Sequence, residues 1–87
     1  MITGPQIKAA RALLGLDQRQ LAELAGLSLP TVQRMESAEG VVRCNVDSMM
    51  RVIDALQAAG IELINEGADT QGKGRGVRLV SREDSEE

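Results

Sequence analysis

The first sixty residues carry apolar side chains at helical spacing in four separate stretches. Residues three and four positions apart share one face of an α-helix, and this spacing predicts helices over 5–14, 18–25, 29–36 and 46–59. The chain is therefore expected to begin as a mainly α-helical domain. The residues expected to face its core are Ile7, Ala10 and Leu14; Leu21, Ala22 and Ala25; Leu27, Val32 and Met35; and Val46, Met49, Ile53 and Leu56.

Capping residues mark the ends of these helices. Pro5 suits the first turn of a helix, where its missing N–H would have no intrahelical partner. Asp17 followed by Gln20 forms a capping-box pattern before the second helix. Ser28 is the expected N-cap of the third helix, with Leu29 at the boundary because the residue before a proline avoids helical angles. Gly15, Gly26 and Gly60 are the expected stops of the first, second and fourth helices, and Asn45 is the expected start of the fourth.

After residue 60 the period of the pattern changes. Residues 61–65 and 76–81 are short, rich in β-branched side chains and bounded by glycines, which predicts two strands joined by a polar segment. The strands could pair as a hairpin within one chain. An isolated two-stranded hairpin is only marginally stable, so pairing with a second copy is the alternative, with dimer contacts from Ile61, Leu63, Val77 and Leu79.

Composition limits the chemistry that the chain can perform. It has 87 residues, no aromatic side chain, no histidine and a single cysteine. We therefore expect one small domain that is not an enzyme and holds neither a metal nor another cofactor. Cys44 lacks a neighbouring basic cluster, which favours a packed thiol over a redox switch. No signal peptide or membrane span is evident, and a cytoplasmic protein with no membrane partner is expected.

The net charge of −3 is unevenly distributed. Residues 1–60 hold six basic and six acidic residues, whereas residues 61–87 hold four basic and seven acidic ones. The acidity therefore belongs to the C-terminal part and does not exclude a nucleic-acid partner for the helical part. Residues 82–87 are expected to form a disordered acidic tail.

Residues 18–37 have the spacing of a helix-turn-helix motif. Ala22 is small where two helices must approach closely, and Gly26 can make the turn between them. Val32 and Met35 then fill the angle between the helices. In register with these residues, the chain resembles the Cro/repressor (XRE) family of DNA-binding proteins over residues 5–60. The matching residues are Gln18, Leu21, Ala22, Gly26, Ser28 and Glu36.

This resemblance implies a lambda-repressor-like domain of four to five helices over 1–60, a β-strand dimerisation segment over 61–81, and roles for individual side chains. Those placed to read bases are Leu29, Pro30, Thr31, Gln33 and Arg34; those placed near phosphates are Gln18, Arg19, Arg43, Asn45 and Arg11. The family commonly pairs an arginine of the first helix with the glutamate that closes the recognition helix, here Arg11 and Glu36. We interpret this pair as structural. For the base-reading residues, Arg19 and Arg43 the alternative is a solvated surface, for Gln18 a plain helix former, and for Asn45 a plain N-cap. One departure from the family pattern is that Ala38 and Glu39 occupy positions where the family often has a glycine and a basic residue.

The resemblance further implies a homodimeric transcriptional regulator that binds double-stranded DNA at a palindromic operator, most often as a repressor. Such a protein would be associated with the nucleoid when bound. The β-forming end resembles small family members, including antitoxins, that dimerise through a C-terminal strand. An antitoxin that binds a toxin protein and regulates its own synthesis is therefore the alternative function.

Overall fold

A computed structural model describes residues 2–65 and 73–80. They form four helices followed by a two-stranded antiparallel sheet: α1 (Gly4–Leu14), α2 (Gln18–Ala25), α3 (Leu29–Glu36), α4 (Val46–Ala58), β1 (Ile61–Ile64) and β2 (Gly76–Leu79). The predicted helical fold with a C-terminal hairpin is confirmed. The bounds of α2 and α3 are as predicted, and those of the other elements differ by one or two residues. Within these ranges no helix combines the length and the apolar content needed to cross a lipid bilayer.

The first helix begins one residue earlier than predicted because of a cap that we did not identify from the sequence. The Gln6 N–H donates to Thr3 Oγ1 at 3.1 Å, and the Thr3 N–H donates to Gln6 Oε1 at 2.9 Å. This reciprocal arrangement satisfies two backbone donors at the helix start. The predicted capping box of Asp17 and Gln20 forms in the same way at α2.

One core joins all four helices and the hairpin. Most of the predicted inner residues belong to it, although Leu14, Leu27 and Ile53 are only partly buried. On α4, Val46 is 74% exposed and Val52 is buried instead. The prediction for Val46 was wrong because Met49, Val52 and Leu56 already define the buried stripe, and Val46 lies on a neighbouring face of the helix. The buried apolar residues are Ile2, Ile7, Ala10, Leu21, Ala22, Ala25, Val32, Met35, Val42, Met49, Val52, Leu56 and Ile61.

The hairpin packs its apolar face on the chain's own helices. Ile61 pairs with Leu79 and Leu63 with Val77, so these four side chains share one face of the sheet. Ile61 is buried, Leu63 and Val77 pack against the core, and only Leu79 is substantially exposed. Dimer contacts from this face were predicted, but the monomer already covers most of it. The strands are therefore part of the helical domain.

Gln6 ties α1 to the hairpin. Its side chain is 4% exposed, and Nε2 donates to the carbonyl oxygens of Ile64 and Gly76 at 3.0 Å each. These bonds satisfy a buried amide and hold the ends of both strands that adjoin their connecting segment against the helix. Residues 66–72, within the predicted connection, and the predicted tail at 82–87 lie outside the described residues.

The N-terminal residues fix the loop that follows α3. The Val42 N–H donates to the Ile2 carbonyl at 2.9 Å, the Gly4 N–H donates to the Gly40 carbonyl at 3.2 Å, and Thr3 forms a bridge with Val41. A Cβ at Gly4 would overlap the Ala38 carbonyl oxygen. The start of α1 therefore packs directly on backbone at the end of α3, which fixes where that helix stops.

Candidate nucleic-acid interface

α2, the turn after it and α3 form a compact helix-turn-helix. Gly26 adopts the left-handed conformation (φ 70°, ψ 34°), which costs glycine little. The Leu27 N–H then donates to the Ala22 carbonyl at 2.9 Å, and the chain enters α3 through Ser28, whose hydroxyl accepts from the Thr31 N–H at 3.3 Å. Pro30 lies in the first turn of α3, where no intrahelical donor is lost. The predicted turn and cap are confirmed.

Small and branched side chains hold α2 and α3 together. Leu21, Ala22, Val32 and Met35 are at most 3% exposed. Because the faces of both helices that meet here are fully buried, the opposite face of α3 is held rigidly toward solvent. This is the arrangement that a reading helix requires.

A buried ion pair anchors the end of α3 to α1. Arg11 Nε donates to Glu36 Oε2 at 2.7 Å and Arg11 Nη2 to Glu36 Oε1 at 2.9 Å. The Glu36 side chain is 1% exposed and that of Arg11 22%. Hydrogen bonding to Glu36 raises the pKa of Arg11, although burial opposes the shift. A further bond from Arg11 Nη1 to the Leu16 carbonyl, at 3.1 Å, extends the anchor to the α1–α2 loop.

Gln18 connects this ion pair to the outer face of α3. Its Nε2 donates to Glu36 Oε1 at 3.0 Å, and its Oε1 accepts from Gln33 Nε2 at 3.5 Å. Both ends of the side-chain amide therefore contact protein groups. The backbone N–H of Gln18, in the first turn of α2, is the group best placed to meet an anion.

The residues predicted to read bases lie together on α3. Pro30, Gln33 and Arg34 are exposed, whereas Leu29 and Thr31 are half-buried. Thr31 Oγ1 lies 2.9 Å from Ser28 Oγ and accepts from Arg34 Nη2 at 3.4 Å. This long bond is weak, so the Arg34 guanidinium can exchange it for a stronger partner.

The predicted phosphate contacts are more dispersed. Arg19 is exposed at the start of α2, and Arg43 is exposed in the loop before α4. Arg43 lines two shallow grooves together with Arg34, of about 450 and 320 Å³. The structure thus brings these two arginines to the same side of the molecule. Asn45 caps α4, accepting from the Ser48 N–H at 2.7 Å.

Two positions near this surface differ from the sequence analysis or were missed by it. Cys44 is exposed and not packed as predicted, because the 43–45 segment runs over the surface and lines a groove with Thr31 and Arg34. Gly4 positions the end of α3 and was missed. A glycine in a first helical turn gives no signal of its own, since the carbonyl oxygens that it approaches are more than thirty residues away in the sequence.

The chain matches the family model described as "Helix-turn-helix" over residues 7–43. The match covers α1, α2, α3 and most of the following loop, which are the elements that build the surface described above. No curated protein matches the chain significantly. The match and the geometry above identify residues 7–43 as a helix-turn-helix domain of the Cro/repressor (XRE) type, and such a domain supports DNA binding and transcription regulation in general.

Proposed function

We propose that the protein is a homodimeric regulator that recognises a palindromic operator in double-stranded DNA and represses transcription by occluding a promoter. The observation that carries the proposal is the exposed face of α3, with Pro30, Gln33 and Arg34 directed to solvent. The opposite face is buried, and the buried Arg11–Glu36 pair fixes the end of the helix. Such a protein would act in the cytoplasm, on the nucleoid.

Base recognition is proposed to combine one strong polar contact with several weaker ones. Arg34 can donate two hydrogen bonds to a guanine in the major groove, which discriminates by ~1–3 kcal/mol. Leu29 and Pro30 offer apolar surface to thymine methyl groups. Gln33 can pair with adenine, and Thr31 can meet a thymine methyl or a phosphate.

Contacts with the DNA phosphate backbone would position α3 without reading the base sequence. Arg19, Arg43 and the Gln18 backbone N–H are the candidates nearest the reading face, with Arg11 and Asn45 as further ones. Arg11 is already bonded to Glu36 and Asn45 to the α4 backbone. Because few basic side chains surround α3, we expect the affinity for DNA to depend only modestly on salt and non-specific binding to be weak.

A twofold dimer would double this small reading surface. Two recognition helices related by such an axis contact half-sites about one helical turn apart, and the operator must then be palindromic. Residues 61–81 were the predicted source of the dimer contact. Because the apolar face of the hairpin lies mostly against the chain's own core, we propose that the dimer contact comes mainly from another surface.

Selection of bound sequences from a random DNA pool, at a fixed salt concentration, tests the proposal. We expect the wild type to enrich a palindrome. Arg34→Ala should relax preference at one base pair in each half-site, by ~1–3 kcal/mol. Arg51→Ala is the control, since Arg51 is an exposed arginine on α4 that is paired with Asp47. Failure to enrich any palindrome would refute the proposal, and co-purification of a second small protein would then favour the antitoxin function.

A further inference from the structure

α4 carries two apolar stripes, and only one faces the core. Met49, Val52 and Leu56 are buried. Val46 and Met50 are 74% and 46% exposed, and at spacings of four and three residues they share a face with the partly buried Ile53. A surface helix of a small domain normally places polar residues on such a face, so the second stripe needs a partner.

This stripe forms one wall of an open groove of about 520 Å³, called here the α4 groove. Val46, Met50 and Ile53 line it from the helix, Val41 lines it from the loop, and Arg43 supplies the charge in its lining. The two longer chain segments outside the described residues do not match it. Residues 66–72 (EGADTQG) and 81–87 (SREDSEE) contain no apolar side chain larger than alanine.

We propose that the α4 groove is the dimer interface, with α4 packed antiparallel against α4 of a second copy about a twofold axis near Met50. The inference rests on the proposed function, which requires a dimer, and names the surface that forms it. A twofold interface must be complementary to itself. An axis close to Met50 places Met50 against the partner's Met50 and Val46 within one residue of the partner's Ile53, so the stripe can pack against itself.

The charges around the groove agree with this arrangement. Arg43 lines the groove and Asp54 is an exposed acid on α4, so antiparallel packing offers each Arg43 an acid of the partner chain. Asp47, on the same edge of the helix, is already neutralised within its own chain by Arg51 Nε at 2.8 Å. The dimer would therefore gain two opposite-charge contacts related by the axis, and Asp47 would keep its local partner.

The α4 groove borders the reading face without covering it. Arg43 lines the α4 groove and also both grooves that include Arg34. Packing at the α4 groove leaves Pro30 and Gln33 on α3 exposed. The same twofold axis can thus bury the apolar stripe and relate two accessible recognition helices.

Sedimentation equilibrium over a range of protein concentrations tests the interface. Met50→Glu should raise the dimer dissociation constant at least ~100-fold, because two unpaired carboxylates would be buried per dimer. Leu13→Glu is the matched control on α1, at the same 46% exposure, and should leave dimerisation unchanged. Circular dichroism should show both variants folded. If Met50→Glu dimerises as the wild type does, or if the wild type is monomeric throughout, the inference is overturned.

A covalent crosslink supplies a second measurement that does not depend on weakening the interface. In a Met50→Cys, Cys44→Ser variant, oxidation should join two chains through position 50, since disulfides require Cα atoms within ~7 Å. An Ala12→Cys, Cys44→Ser variant, with the cysteine at an exposed position of α1, should not crosslink. The crosslinked protein should bind the selected palindrome at least as tightly as the wild type. Loss of DNA binding on crosslinking would overturn the inference, whereas an intact dimer that enriches no DNA sequence would overturn the proposed function alone.

Discussion

The buried Arg11–Glu36 pair, which joins α1 to the end of α3, should contribute strongly to the stability of the fold. Glu36→Gln keeps the shape of the side chain but replaces one acceptor oxygen with a donor, so at least one of the Arg11 and Gln18 donors loses its partner. Breaking a buried pair costs ~3–5 kcal/mol. Because 22% of the Arg11 side chain is exposed and water can partly solvate its charge, we expect ~2–3 kcal/mol. In a domain of this size, that is a loss of roughly 10–20 °C in Tm.

A double-mutant cycle in urea separates the pair from other effects of the substitutions. Arg11→Met, Glu36→Gln and their combination should give a coupling free energy of ~2 kcal/mol. The control cycle uses Arg51→Met and Asp47→Asn. That pair has nearly the same N–O distance, 2.8 Å, but both side chains are more than half exposed, and we expect a coupling of at most ~0.5 kcal/mol. Equal coupling in the two cycles would refute the reasoning that burial makes the Arg11–Glu36 pair important.

Two further changes test contacts described above. Gly4→Ala should destabilise the fold by ~3 kcal/mol or more in urea denaturation, because the new Cβ meets backbone oxygen that cannot move freely. Gly40→Ala should be neutral, because a Cβ at Gly40 would lie in open space. Equal effects of the two substitutions would contradict the close approach at Gly4. Ile61→Ala should lower the free energy of unfolding by ~3 kcal/mol because core packing is lost. Leu79→Ala, at the cross-strand neighbour that is 45% exposed, should lower it by less than ~1 kcal/mol. Similar losses at Ile61 and Leu79 would mean that the hairpin does not share the helical core.

The helices, their caps and the helix-turn-helix were predictable because their signals are local. Asp17 and Gln20 are three residues apart, and Gly26 must adopt a left-handed conformation wherever the turn forms. Apolar spacing likewise identified most of the core. The spacing failed at Val46 because α4 has two apolar stripes, and a sequence pattern alone does not say which one faces inward.

Contacts between distant segments could not be predicted in the same way. The path from Arg11 through Glu36 and Gln18 to Gln33 joins three helices. The resemblance suggested its first pair, but the extension to Gln33 depends on side-chain positions that spacing does not determine. The pairing of the two strands was also open, because a short apolar strand fits equally well on its own helices or on a second copy. The buried position of Ile61 favours the chain's own helices.

The Gln6 side chain also has a consequence for synthesis of the protein. Its carbonyl acceptors belong to Ile64 and Gly76, so a buried amide near the start of the chain depends on groups translated 58 and 70 residues later. Since translation proceeds from the N-terminus, we expect nascent chains that end before residue 76 to keep α1 exposed to proteases, although α2 and α3 are already complete. Protease digestion of ribosome-bound chains of increasing length would show resistance appearing only after β2 has left the exit tunnel; earlier resistance would contradict this expectation.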